Sequence, residues 1–280
     1  MMRRKPRAIE QGTGHLLAVG DSWFNYFPPF DALVALQRKY GYTVHSVALP
    51  KTKLAELAAP IPAAADSTHQ LSQLQRAAQA LSPAEKRAVT AILISGGGND
   101  VVDPTIFPTL LNPAAPGRPA LNQRAFDKFV NEQLGAVLLQ VLKSATEISR
   151  SALGRTVPIV IHGYDHPVPD GRTLIPATGL RHMLAAQGYV DLPSATDVMR
   201  LMIDGLNDMQ KDLLSAHAQD LAHVVRVDLR GVLNTDLAGG YKADWQNEIH
   251  PTIPRGFTLV ADALQAQLLR LRGAAAANNY

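Results

Sequence analysis

Three short stretches of this chain hold the residue types that acyl chemistry needs. In Gly20-Asp21-Ser22-Trp23-Phe24 a serine stands directly after an apolar run and two residues beyond a glycine, the setting for a tight turn that exposes its hydroxyl. Such a hydroxyl becomes a nucleophile when a neighbouring base takes its proton. In Gly96-Gly97-Gly98-Asn99-Asp100 the glycines let backbone approach a ligand closely, and the Asn99 amide is a neutral donor suited to a developing oxyanion. In Asn247-Glu248-Ile249-His250-Pro251 an imidazole precedes the last helical stretch. Each block alone is commonplace, since a serine after a strand is often a helix cap. In this order they supply a nucleophile, an oxyanion donor and a base.

The elements that must position them are legible from periodicity. Five short apolar runs rich in β-branched residues recur: 15–20, 43–48, 89–95, 157–162 and 222–228. They are continuous rather than alternating, the pattern of strands buried on both faces of a parallel sheet. Helical stretches lie between them. Residues 31–40 stop at Gly41; 126–148 carry a long apolar stripe; Ser194, with Asp197 three residues on, reads as the start of a capped helix; and 257–271 close the fold. This alternation predicts a doubly wound α/β domain, whose ligands sit outside the carboxyl ends of the strands. Two long proline-rich connections, 103–119 and 165–193, are expected over that edge as lid, substrate wall or surface insertion. The expected organisation is a flexible basic arm over 1–14, one domain over 15–273 and a frayed tail over 274–280.

Composition narrows the chemistry. With 46% hydrophobic and 18% charged residues, 280 residues suffice for a full core. The chain has no cysteine, which removes disulfides, thiolate metal sites and cysteine nucleophiles together. The formal net charge is +3, with basic residues clustered at Arg3, Arg4, Lys5 and Arg7; no nucleic-acid partner is expected. No apolar run approaches the ~20 residues of a membrane helix. Residues 1–14 show no signal-peptide apolar segment, so the default expectation is cytoplasmic, with secretion left open. Oligomeric state is not set by the sequence.

The three blocks resemble those of the SGNH (GDSL-like) hydrolases: Gly20-Asp21-Ser22 the nucleophile block, Gly97-Gly98-Asn99-Asp100 the G-x-N-D block, and the stretch ending in His250-Pro251 the D-x-x-H block. The resemblance implies a flavodoxin-like three-layer sandwich, a five-stranded parallel sheet of order 2-1-3-4-5, and hydrolysis of esters or thioesters, the substrate a small-molecule or glycan ester, without metal or other cofactor. It implies Ser22 as nucleophile, His250 as base, and Asn99 with the Ser22 N–H as oxyanion donors. Transfer of the acyl group to another alcohol and deacetylation of a glycan fit the same residues, and a silent binding pocket is the alternative of another class.

Two departures from the family pattern stand out. The glycine block expected after the second strand is missing; Lys51 is its occupant by count, able to offer its N–H provided the turn avoids positive φ. The triad aspartate is also missing: Asn247 stands in its place, with Asp244, Glu248 or a backbone carbonyl as alternative partners for His250. Trp23, Gly98 and Tyr164 are expected at the substrate wall, with Phe24 beside Trp23 in an acyl pocket or the core. His162 and His166 are four apart, a spacing that binds metal on a helix, but Gly163 and Pro167 make this a loop; wall residues are expected there and no metal.

Overall fold

The computed structural model describes residues 14–58, 69–173 and 179–277. Arg3, Arg4, Lys5 and Arg7 of the basic arm, the centre of the second long connection (174–178) and the last three residues of the tail lie outside them.

Five strands, β1 (His15–Val19), β2 (Thr43–Ser46), β3 (Val89–Ile94), β4 (Ile159–His162) and β5 (Val224–Val227), form one sheet in the order β2-β1-β3-β4-β5. Every pairing is parallel. All five apolar runs therefore become strands. Burial on both faces holds for the central ones: Leu16 to Val19 are wholly inaccessible, as are Ala91 to Leu93. It fails for β2, where Thr43 and Ser46 are exposed, because an edge strand has one open flank.

Helices cover the sheet. After β1, Asp31 caps α1 (Ala32–Ala35) by accepting from the N–H groups of Leu33 and Val34; the helix continues as a π-helical stretch, Leu36–Tyr40, and ends on left-handed Gly41. Next come α2 (Leu54–Ala58), α3 (Gln70–Ala80), α4 (Pro83–Ala88) and the short α5 (Gly98–Val101). The long apolar stripe forms α6 (Gln123–Phe126), a π-helical stretch and α7 (Gly135–Leu153). The remaining helices are α8 (Leu180–Ala186), α9 (Leu192–Ala216) and α10 (Arg255–Ala277). α1 packs on α10, while α2, α3 and α9 pack around α7.

Helix α9 starts earlier than the Ser194 signal suggests. Asp191 is the cap, accepting the Ser194 N–H at 2.8 Å, and Pro193 sits in the first turn, where its missing N–H costs nothing. Helix α10 runs on to Ala277, through four residues of the expected tail.

Parallel pairing puts the carboxyl ends of all five strands on one edge. Ser22 follows β1, Lys51 follows β2, Asn99 follows β3 and Tyr164 follows β4, while His250 comes from the loop before α10. Strand β1 lies where the strand order reverses, the crevice in which open α/β sheets bind ligands.

Candidate active site

The turn after β1 is built by Gly20 and Asp21. Gly20 has φ +143°, and a Cβ there would lie 2.2 Å from the Ser95 carbonyl oxygen, so only glycine fits. The buried Asp21 carboxylate accepts the Trp23 N–H at 3.0 Å, the Ser95 hydroxyl at 2.6 Å and the Tyr164 hydroxyl. The turn thus hangs from the ends of β3 and β4, and Ser22 is held at its tip.

The Ser22 Oγ lies 2.8 Å from Nε2 of His250. On the other side of the ring, Nδ1 of His250 is 3.2 Å from Oδ1 of Asn247. That Oδ1 also accepts the N–H groups of Ile249 at 3.0 Å and His250 at 2.9 Å, while the amide nitrogen donates to the Tyr26 hydroxyl at 3.2 Å. Two backbone donors facing one end of the amide fix that end as the oxygen. Nδ1 must then carry the ring proton, which leaves Nε2 as a lone pair able to accept from Ser22. The Tyr26 ring covers the imidazole, with centroids 4.4 Å apart. Burial pushes the imidazole down to about 4, so it is neutral at pH 7.

Neither acidic alternative reaches His250. Asp244 accepts from Arg255 Nε at 2.5 Å and from the Asn234 N–H at 2.8 Å. Glu248 accepts three backbone N–H groups, from Gly171, Leu180 and Arg181, and so ties together the loop that follows β4. Asn247 keeps the contact because its side chain folds back into the turn that carries the ring, accepting the Ile249 and His250 N–H groups, whereas Glu248 in the same turn points away.

Asn99 stands in the first turn of α5, which opens after the left-handed Gly97, and donates one amide hydrogen to the Thr52 carbonyl at 3.0 Å. Its second amide hydrogen remains for a ligand. Thr52 and Gln70 belong to none of the three blocks, yet they join them. Gln70 accepts the Gly20 N–H at 2.9 Å and donates to the Thr52 hydroxyl at 2.5 Å, and that hydroxyl donates to the Leu49 carbonyl at 2.8 Å. No motif marks either residue; their role exists only through contacts across the sheet edge.

Lys51 corrects one expectation. Its turn does not avoid positive φ: Lys51 has φ +65°, the one non-glycine residue in the left-handed region among those described, and the condition set on its N–H falls away because positive φ reorients that N–H without giving it an acceptor. Leu49-Pro50-Lys51-Thr52 has the type II pattern, proline second and a left-handed residue third. Lys51 is exposed and has no hydrogen-bond or ion-pair partner among the described residues, its backbone N–H included. The Ser22 N–H is likewise without an acceptor there.

Trp23, Gly98 and Tyr164 line a small pocket beside Ser22. Gly98 permits it: a Cβ there would lie 2.8 Å from Cζ of the Tyr164 ring. Burial and the Asp21 carboxylate raise the Tyr164 phenol well above its usual range, which keeps it a donor to Asp21. Phe24 is in the core at 2% exposure. His162 is sealed between Trp23, Phe24 and Tyr164, and burial lowers it toward the neutral form. His166 instead pairs with Asp204 at 2.8 Å. The two histidines therefore do not converge, and no cluster of three or more metal-ligating side chains occurs among the described residues. No described helix is long and apolar enough to cross a membrane.

Of the two long connections, the one after β4 forms cleft wall, through Thr173, Gly179, Leu180 and Met183. The one after β3 packs behind it, where the Asn112 carbonyl accepts the Tyr189 hydroxyl at 2.8 Å.

No protein-family model and no curated protein matches this chain. Solved structures do. A protein from Slackia heliotrinireducens with a provisional SGNH hydrolase designation superposes with a TM-score of 0.50 at 15% identity, covering 90% of this chain and 97% of its own. An extracellular lipase from Streptomyces rimosus gives 0.49 at 16% identity, covering 90% and 99%. An acetylxylan esterase from Geobacillus stearothermophilus gives 0.46 at 15%, covering 93% and 95%. With its 2-1-3-4-5 parallel sheet and the overlap with the Slackia protein along nearly the whole chain, this protein has the SGNH hydrolase fold.

Proposed function

We propose that this protein is a serine hydrolase of carboxylic esters acting through an acyl-enzyme on Ser22. The observation that carries the reading is the 2.8 Å contact between Ser22 Oγ and the unprotonated Nε2 of a neutral, buried His250. Ser22 Oγ attacks the ester carbonyl carbon as Nε2 takes its proton. The oxyanion is received by the free Asn99 amide hydrogen and by the N–H groups of Ser22 and Lys51. The bond from carbonyl carbon to alcohol oxygen then breaks, and the imidazolium returns the proton to the departing alkoxide. Water attacks the acyl-enzyme as it loses a proton to Nε2, the bond from the carbonyl carbon to Ser22 Oγ breaks, and the imidazolium returns the proton to Oγ, releasing the acid and restoring Ser22 and neutral His250.

The absence of a carboxylate at His250 favours a second reading, a binding pocket without turnover. Fluorophosphonate labelling separates the two. The wild-type protein should be labelled on Ser22 and Ser22→Ala should not; an unlabelled, folded wild-type protein would sink the hydrolase reading.

A further inference from the structure

Ser22, Asn99 and His250 lie on the boundary between two spaces of very different size. One is the small pocket of about 40 Å³. Beyond the shared residues its apolar walls are Trp23, Gly98, Tyr164, Pro167, Ile203 and Trp245, and the Asp21 and Asp165 carboxylates that border it are taken up by hydrogen bonds within the fold. Ile203, Trp245 and Trp23 are each at most 4% exposed, so this wall is packed core. The other space is a cleft of about 680 Å³, reaching past Tyr26, Phe27, Leu180 and Met183.

An ester has two halves, one on each side of the carbonyl that Ser22 attacks. A water-sized group needs roughly 10–15 Å³ of such space, so the small pocket holds about three heavy atoms. The cleft holds far more. Which half goes where follows from the proton. The leaving oxygen must receive it from His250 Nε2, so the alcohol lies along the loop that carries the imidazole. Of that loop, Gln246, Asn247, Glu248 and Ile253 line only the cleft, as does Tyr26 over the ring, Ile249 and His250 border both spaces, and Trp245 alone faces only the small pocket, so the greater part of the loop runs along the cleft. The acyl half is left with the pocket under Gly98 and Trp23.

Building on the ester-hydrolase reading, we infer that the pocket walled by Trp23, Ile203 and Trp245 is an acyl pocket that restricts substrates to acetyl- or propionyl-sized esters of bulky alcohols. Ile203, on α9, is its specificity-determining side chain.

Two isomeric esters test this directly. Octyl acetate and methyl nonanoate have the same formula and nearly the same polarity, but exchange the sizes of the acyl and alcohol halves. Octyl acetate should be cleaved with kcat/KM at least about tenfold higher, the discrimination a methylene or more gives in a tight pocket. Equal rates, or faster methyl nonanoate, with Ser22 still labelled by fluorophosphonate, would overturn the acyl-pocket inference and leave the hydrolase reading standing. Absence of both labelling and hydrolysis would overturn both. On p-nitrophenyl esters, Ile203→Ala should raise the butyrate-to-acetate ratio of kcat/KM by about tenfold. Ile203→Val should move it in the same direction by less, and serves where the alanine variant does not fold. An unchanged ratio in a folded variant would remove Ile203 from the role.

Discussion

Asn247 holds His250 with one oxygen that does three jobs. Its Oδ1 faces the imidazole Nδ1 and also accepts the N–H groups of Ile249 and His250. In a serine protease, replacing the triad aspartate by asparagine costs about 10⁴ in kcat because the ring is held in the wrong tautomer. Here the backbone donors turn the amide so that its oxygen meets Nδ1, and the tautomer is right. What remains missing is the negative charge that would steady the imidazolium.

Restoring that charge should help. In Asn247→Asp, both backbone donors already point at the new carboxylate, and the Tyr26 hydroxyl, which accepts from the amide nitrogen in the wild type, can rotate to donate to it. A hydrogen bond to a charged group is worth about 1–2 kcal/mol more than a neutral one. The variant should therefore raise kcat by about tenfold and move the acid limb of the pH profile up by about one unit. Asp244→Asn, by contrast, should reduce stability through the lost Arg255 contact and leave the acid limb in place. A pH–rate profile of both variants decides it; an acid limb moved only by Asp244→Asn would refute the assignment.

The wild-type pH dependence follows from burial. His250 must be neutral to act as a base, and its value of about 4 lies below the ordinary 6.5. Activity should persist through pH 5 and fall as the pH drops through about 4. Stability has the same sign: the unfolded chain takes up this proton first, so the neutral buried ring's contribution is complete above 6.5 and is lost between 6.5 and about 4. Asp100, raised by burial to about 6 from 3.8, works in the opposite direction over much of that window. Urea unfolding of the wild-type protein minus that of His250→Gln isolates the histidine; a pH-independent difference would contradict it.

Asn99→Ala should lower kcat by about 10²–10³ with little change in KM, because a donor aimed at the oxyanion works mainly in the transition state. Unchanged kcat would reduce Asn99 to a brace for the Thr52 turn.

The sheet was legible because its strands are continuous apolar runs, and Ser22, Asn99 and His250 because each sits in a short block next to a strand end or a helix. What stayed hidden is held by contacts with no local signature. Tyr26 covers a ring 224 positions away, and Gln70 links Gly20 to Thr52. Neither belongs to a spacing that periodicity can reveal. The Ser194 signal misplaced the start of α9 because Asp191 and Pro193 supply a stronger cap just upstream. Counting along the chain locates Lys51, but its backbone conformation has no sequence signal, since lysine carries no preference for the left-handed region.

That conformation yields a test of which part of Lys51 matters. A non-glycine residue at φ +65° bears a cost of about 1 kcal/mol, and Lys51 makes no compensating contact among the described residues. Lys51→Gly removes that cost while adding about 0.5–1 kcal/mol of chain entropy to the unfolded state, so stability should change by less than about 1 kcal/mol. If the backbone N–H is what serves the oxyanion, the glycine variant should keep kcat within about threefold. Lys51→Pro is the counterpart: proline has no N–H, and its ring fixes φ near −65°. That variant should lose at least about 10²-fold in kcat, the effect of removing one oxyanion donor. Wild-type turnover by a folded Lys51→Pro protein would exclude the N–H, and a large loss in Lys51→Gly would shift the role to the ammonium group.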